Sequence, residues 1–137
     1  MSRGASLAAR FRCEPRFTSL RVPTIELWVA GPPAVFHRMA GVVDSGAAVT
    51  LLGRGAYELL GVPRGSGTRG DMPGLTGQLK YELCPVQMRL HLASGPDVTV
   101  WVRAGFCEQI EHNLFGSDLL DYFNVLVSRN EVTFMAR

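Results

Sequence analysis

Met39-Ala40-Gly41-Val42-Val43-Asp44-Ser45-Gly46-Ala47-Ala48-Val49-Thr50-Leu51-Leu52 sets a single acid, Asp44, between two apolar runs. Both runs read as core strand, so the carboxylate is carried to a place where its charged form loses water. A chain that does this uses the carboxylate for chemistry or pairs it tightly. Gly46 and the small residues around it permit a tight turn and leave room for a ligand or a second backbone. On residue type alone two readings stand: a reactive acid, or a turn aspartate bonding nearby amides.

Outward from this stretch the chain is built of short alternating segments between turn residues. Ile25, Leu27 and Val29 alternate with Glu26 and Trp28. Val86, Met88, Leu90 and Leu92 alternate with Gln87, Arg89 and His91, and Val98, Val100 and Val102 with Thr99, Trp101 and Arg103. A period of two marks half-buried strands. Asn124–Val127 and Glu131–Phe134 flank Ser128-Arg129-Asn130 as the two arms of a hairpin. Helical signal is sparse: Gly55–Leu60 fits about two turns ended by Gly61 and Pro63, and Ser117–Phe123 fits another short helix capped at Ser117 or Gly116. The pattern is mainly β, a barrel or sandwich with one or two short helices, and not a βαβ fold.

The 137 residues suit one domain, and a hydrophobic content of 47% with 19% charged residues argues against disorder. Residues 1–18 read as an N-terminal extension, a tail or arm, ahead of a domain over 19–137. Lys80 is the only lysine, and the arginines are scattered, so the net charge of +2 leaves no footprint for nucleic acid. No apolar run reaches the ~18 residues needed to span a membrane. The first twelve residues lack the apolar core of a secretory signal, although Arg3, Arg10, Ser2 and Ser6 leave a weak presequence reading open. These features point to a cytoplasmic chain with neither membrane nor nucleic acid as partner. Cys13, Cys84 and Cys107 are odd in number and have no C-x-x-C spacing, which reads as reduced thiols and not as a disulfide framework or zinc site. No metal or other cofactor is expected.

Other motifs carry little. Gly65-Ser66-Gly67-Thr68-Arg69-Gly70 matches G-x-G-x-x-G, but a helix end and Pro63 precede it and Pro73-Gly74 follow it. A phosphate cradle needs a strand before and a helix after, so a loop or hairpin is the better reading. His37, His91 and His112 show no ligand spacing, and Ser45 does not sit in G-x-S-x-G.

The segment Gly41–Leu52 resembles the active-site loop of retroviral-type aspartic proteases: two apolar residues, then Asp-Thr/Ser-Gly-Ala, then a Thr or Ser a few residues on. Asn113-Leu114-Phe115-Gly116-Ser117-Asp118-Leu119-Leu120 resembles the same family's second motif, two apolar residues and a glycine leading into a short helix with a leucine pair. The resemblance covers about residues 20–135. It implies a retropepsin-like closed β-barrel, the double-psi type of half acid protease, with one or two short helices.

The resemblance also implies roles. Asp44 is the catalytic acid/base, and Ser45, Gly46 and Ala47 complete the active-site loop. The Ser45 hydroxyl braces the loop across a dimer, and Gly46 lets substrate backbone approach. Ala48 and Val49 border the substrate. Met72–Gln78, with Gly74, Leu75, Thr76 and Gly77 at its centre, is the counterpart of the hairpin flap that closes over substrate. Thr50, Leu114, Phe115 and Gly116 support the loop. The mechanism needs two carboxylates, and one chain supplies one, so the implied enzyme is a two-fold homodimer acting on a peptide or protein. Two unit charges ~4 Å apart repel by roughly 4 kcal/mol at an effective dielectric of 20, enough for the pair to hold one proton between them. One carboxylate then activates water while its protonated partner donates to the peptide carbonyl. The chain departs from the family where many members carry acids, at Ala48 and Val49, and where they carry Arg, at Ser117. The opposed charges are missing together, and they motivate a rival reading: an inactive peptide-binding or dimerisation module on the same fold.

Overall fold

The computed structural model describes residues 6–13, 21–74, 77–91, 96–127 and 131–136. Among them the period-two segments form long strands. In chain order the elements are β1 (Ser6–Cys13), β2 (Arg21–Ala30), β3 (Phe36–Val43), β4 (Leu51–Leu52), α1 (Ala56–Leu60), β5 (Thr68–Gly74), β6 (Gly77–Leu90), β7 (Val98–Phe106), β8 (Asn113–Phe115), α2 (Ser117–Leu120), β9 (Phe123–Val127) and β10 (Glu131–Ala136).

Six strands close on themselves. The order β6-β7-β4-β8-β3-β2 is sealed by an additional β6–β2 pairing, in which Trp28, Val29 and Ala30 face Arg89, Met88 and Gln87. Closure removes the open edges that a six-stranded sheet would otherwise present. Four of the six contacts in the ring are antiparallel, whereas β3–β8 and β4–β7 run parallel. The short strand β8 lies between β3 and β4, which are neighbours in sequence but not in the sheet. The connection carrying Asp44 must therefore arch over the C-terminal end of β8. This crossing positions the candidate site.

The alternating residues fill the barrel. Leu27 and Val29 of β2, with Val86, Met88 and Leu90 of β6, are fully buried. Each such side chain contributes roughly 1.5–3 kcal/mol through removal from water. Phe106 and Phe115 are fully buried as well, and Tyr57 of α1 lies tilted on Phe106 with centroids 4.8 Å apart. Helix α1 ends at Gly61, whose φ of +66° is a left-handed conformation that glycine adopts without strain.

The structure departs from the sequence pattern at two places. Helix α2 stops at Leu120 instead of running to Phe123, because Phe123 opens β9 opposite Ala136 and stacks edge-on against buried Phe134 at 5.7 Å. The N-cap of α2 is Gly116, with no side-chain cap. Residues 6–13 of the N-terminal arm form β1, which pairs first with β10 and then with β2. The hairpin β9–β10 has its expected antiparallel register, with Val127 opposite Val132, while Ser128-Arg129-Asn130 lies outside the described residues. The sequence from Gly65 to Gly70 runs through turns into β5, with no helix after it.

Glu82 occupies an inward position of β6, in step with Cys84, Val86 and Met88, and is nearly buried. Its Oε1 accepts the Tyr57 hydroxyl at 2.8 Å and the Gly65 N–H at 3.0 Å, and its Oε2 accepts the Gly67 N–H at 3.0 Å. Burial pushes this carboxyl upward. The N–H of Gly67, the hydroxyl of Tyr57, the N–H of Gly65 and the charge of Arg69 outweigh that, so the net shift is downward from the usual glutamate value. Burial, followed by the hydrogen bond to Glu82, pushes the Tyr57 phenol well above its ordinary range.

A glutamate lowered on folding stabilises the native state above its unfolded pKa of about 4.3. That contribution is lost as pH falls through the lower folded value. Glu82→Gln should cost about 2 kcal/mol at pH 7, because a neutral amide replaces an acceptor of three hydrogen bonds. The gap from wild type should narrow below about pH 4. Thermal melts of both proteins from pH 3 to 8 measure this, and a gap independent of pH would contradict it.

Candidate active site

Strand β3 delivers the chain to Asp44, whose N–H donates to Phe115 O at 3.0 Å and so extends the parallel β3–β8 ladder by one bond. A tight turn follows. Ala47 N–H donates to the Asp44 carbonyl at 3.2 Å, and Gly46 N–H donates to Asp44 Oδ1 at 3.0 Å. The carboxylate is half-buried, with one oxygen held by the loop, and its neighbours Ser45 and Gly46 are exposed. The chain returns through exposed Ala48 and half-buried Val49 to Thr50, which is fully buried.

The second motif holds this loop from below. Gly116 N–H donates to Thr50 Oγ1 at 3.0 Å, and Ser117 N–H donates to Ala47 O at 2.8 Å. Asp118 grips Thr50 with both oxygens: Oδ1 accepts the Thr50 hydroxyl at 2.6 Å and Oδ2 the Thr50 N–H at 2.9 Å. Asp118 Oδ1 also accepts the Leu119 N–H at 2.8 Å. Asn113 works on both flanks of β8, donating to Ala40 O and accepting from Gly53 N–H, each at 2.8 Å. The loop is thus fixed at Asp44, Ala47 and Thr50 by groups from Phe115 to Asp118.

The crossing requires a residue without a side chain at 116. A Cβ there would lie 2.6 Å from Ala47 O and 2.9 Å from Val49 C and O, all backbone atoms that cannot swing aside. Gly116→Ala should therefore push the Asp44 loop off β8 and cost about 3 kcal/mol or more. Chemical denaturation measures the loss, and an unchanged midpoint would contradict the crossing.

The segment that the resemblance marks as a flap is flanked by the two strands of a hairpin. Strands β5 and β6 pair from Thr68↔Leu83 to Gly74↔Gly77, leaving Leu75 and Thr76 between them, outside the described residues. Gly77 has φ +134°, in the range that favours glycine. An open pocket of about 720 Å³ lies beside the hairpin root, lined by Tyr57, Arg69, Tyr81, Glu82, Phe106 and Gln109 among others. Asp44 is not among its lining residues. The chemically interesting acid stands instead on a half-open ledge.

The structure gathers Asp44, Ala47, Thr50, Phe115 and Gly116 around one crossing. Leu114 lies within the same β8 segment, opposite Val42 and Leu51. Gly74 and Gly77 lie on the separate hairpin. Asp118, Asn113 and Glu82 have roles that the sequence reading did not single out. Glu82 was visible in principle, as an acid on the inward parity of a strand; Asp118 showed only as a polar residue beside the Leu119-Leu120 pair. Among the described residues, no group of three or more His, Cys, Asp or Glu is arranged to hold a metal ion.

No family model matches the sequence. No curated protein matches it either. Among solved structures, the chain is similar to a retropepsin-like aspartic protease from Rickettsia conorii, with a TM-score of 0.63 and 15% identity over 99% of this chain and 97% of that one. It is also similar to EIAV protease complexed with the inhibitor HBY-793, with a TM-score of 0.55 and 20% identity over 73% of this chain and 86% of that one. The chain has a retropepsin-like fold.

The retropepsin-like fold accounts for the order of the two motifs. Asp44 follows β3, Gly116 follows β8, and the parallel β3–β8 ladder brings them together. It also frames the departure at Ser117. What ties this residue to the acid-bearing loop is its backbone N–H on Ala47 O, a neutral contact.

Proposed function

We propose that the chain is an aspartic endopeptidase that works as a two-fold homodimer, with the Asp44 carboxylates of two protomers facing each other across the axis. The observation that carries this reading is the placement of Asp44: a half-exposed carboxylate on a loop pinned at three points by β8 and the start of α2. Such rigidity serves a group that must meet its symmetry mate within hydrogen-bonding distance. The paired acids share a proton; one takes a proton from water as it attacks the peptide carbonyl, and the other donates to the carbonyl oxygen. The β5–β6 hairpin, including the Gly74 and Gly77 positions, covers the substrate. Ser45 and Gly46 face the open side of the loop. No covalent intermediate forms, and no metal takes part.

The test is hydrolysis of a mixed peptide library from pH 4 to 8 by wild type and by Asp44→Ala. Cleavage by wild type alone is expected. Equal cleavage by both, or none at any pH, would end the enzyme reading.

Ala48, Val49 and Ser117 favour a second reading, an inactive module that keeps the fold and binds peptide. The two separate on a statine-type inhibitor, whose hydroxyl takes the place of the attacking water between paired carboxylates. The enzyme reading expects the inhibitor to raise the melting temperature, and to do so less after Asp44→Asn. Equal shifts for both proteins would favour the module.

A further inference from the structure

The barrel stops supporting the β5–β6 hairpin at a definite place. The β6–β7 ladder ends at Glu82↔Phe106, so the outer edge of β6 from Gly77 to Tyr81 has lost its β7 neighbour. Gln109, in the connection between β7 and β8, takes over there. Its Oε1 accepts the Lys80 N–H at 2.6 Å, and its Nε2 donates to Gln78 O at 3.2 Å. A carboxamide carries one N–H donor face and one C=O acceptor face, like a peptide unit. Here it satisfies on β6 the two backbone groups that a neighbouring strand would have satisfied.

The two ends of this contact are not equally anchored. The segment bearing Gln109 is tied to the barrel by Cys107 N–H to Leu52 O at 2.9 Å, by Arg54 N–H to Ile110 O at 2.8 Å and by the Arg64–Glu108 ion pair. The hairpin beyond Glu82 is tied mainly to itself through β5. Both Gln109 bonds are exposed, so water competes for them and each is weak enough to break and re-form.

We infer that Gln109 is a latch: its side-chain amide fastens the β5–β6 hairpin to the fixed β7–β8 connection, and releasing it lets the hairpin lift about the Glu82 root. Gln109 is a positioning residue and takes no part in the chemistry. The inference rests on the proposed role of the hairpin as the cover of the Asp44 site, but its test does not depend on hydrolysis.

The experiment uses the full chain carrying Asp44→Asn, with and without Gln109→Ala. It measures amide hydrogen exchange at Lys80 and microsecond-to-millisecond relaxation dispersion along residues 68–83. Loss of the latch should speed Lys80 exchange by about tenfold, the equivalent of one net hydrogen bond. It should also raise dispersion on β5 residues such as Asp71 and Met72, which make no bond to Gln109. Amides of Val86 and Met88 should keep their protection, which shows that the barrel is intact. Gln109→Glu, which keeps an acceptor for Lys80 but sets a second oxygen against Gln78 O, should release the hairpin too. Unchanged exchange at Lys80 would overturn the inference. So would a change confined to Lys80, because that describes a local bond and not a latch.

Discussion

Asp44→Asn should abolish peptide hydrolysis while leaving the fold in place. The substitution preserves size, and the amide oxygen can still accept the Gly46 N–H that now binds Asp44 Oδ1 at 3.0 Å. Melting temperature should change by no more than a few degrees. What disappears is the ability to exchange a proton with water and with the partner carboxylate. General acid–base catalysis contributes typically 10²–10⁴-fold, and here both roles fall on one pair of groups, so a loss of roughly 10⁴-fold or more in kcat is expected. Initial rates on a cleaved peptide, read beside circular dichroism, separate this outcome from unfolding. A folded Asp44→Asn protein that retains a tenth of the wild-type rate would place the chemistry elsewhere.

Asp118→Ala should damage both stability and activity. Thr50 is buried, and Asp118 satisfies both its N–H and its hydroxyl. Truncation leaves the Thr50 and Leu119 amides without their carboxylate partner in a part-buried site, which costs about 3 kcal/mol. For a domain of this size that corresponds to a fall of about 10 °C in melting temperature. The damage should also reach the chemistry, because Thr50 Oγ1 accepts the Gly116 N–H and so links α2 to the Asp44 loop. Asp118→Asn retains one acceptor and one donor and should lose about 1 kcal/mol. Calorimetry and kcat on the two variants give the comparison; equal stability of the alanine variant and wild type would remove Asp118 from the account.

The legible parts of this fold were those that depend on local period. Ile25-Leu27-Val29 and Val86-Met88-Leu90 alternate because a strand buries every second side chain, and that rule needs no knowledge of the partner strand. The two motifs around Asp44 and Gly116 were visible because each joins an apolar strand to a residue that a strand does not ordinarily carry. The illegible parts depend on register across the chain. Asp118 meets Thr50 from 68 positions away, and nothing near either residue announces the other. The ring closure of Trp28 on Arg89 is equally remote. Strand β1 has no clean alternation, since Ala8, Ala9 and Arg10 join β10 through backbone bonds that any side chain permits. The sequence pattern overruns the end of α2 because Asp121, Tyr122 and Phe123 continue a plausible helix, and only the burial of Phe123 against Phe134 draws the chain into β9.

Ser117 reaches the loop through its backbone, so the crossing holds without a charged pair. Under the proposed function, the reactive centre lies between the Asp44 carboxylates of two chains.

Mixing protomers tests that directly. Wild type and folded Asp44→Asn, combined in equal amounts at constant total concentration and allowed to exchange subunits, should give about a quarter of the undiluted wild-type rate, because only dimers with two carboxylates hydrolyse peptide. A rate that falls to one half, in simple proportion to the wild-type chain present, would show that one Asp44 suffices and would contradict the shared-proton pair.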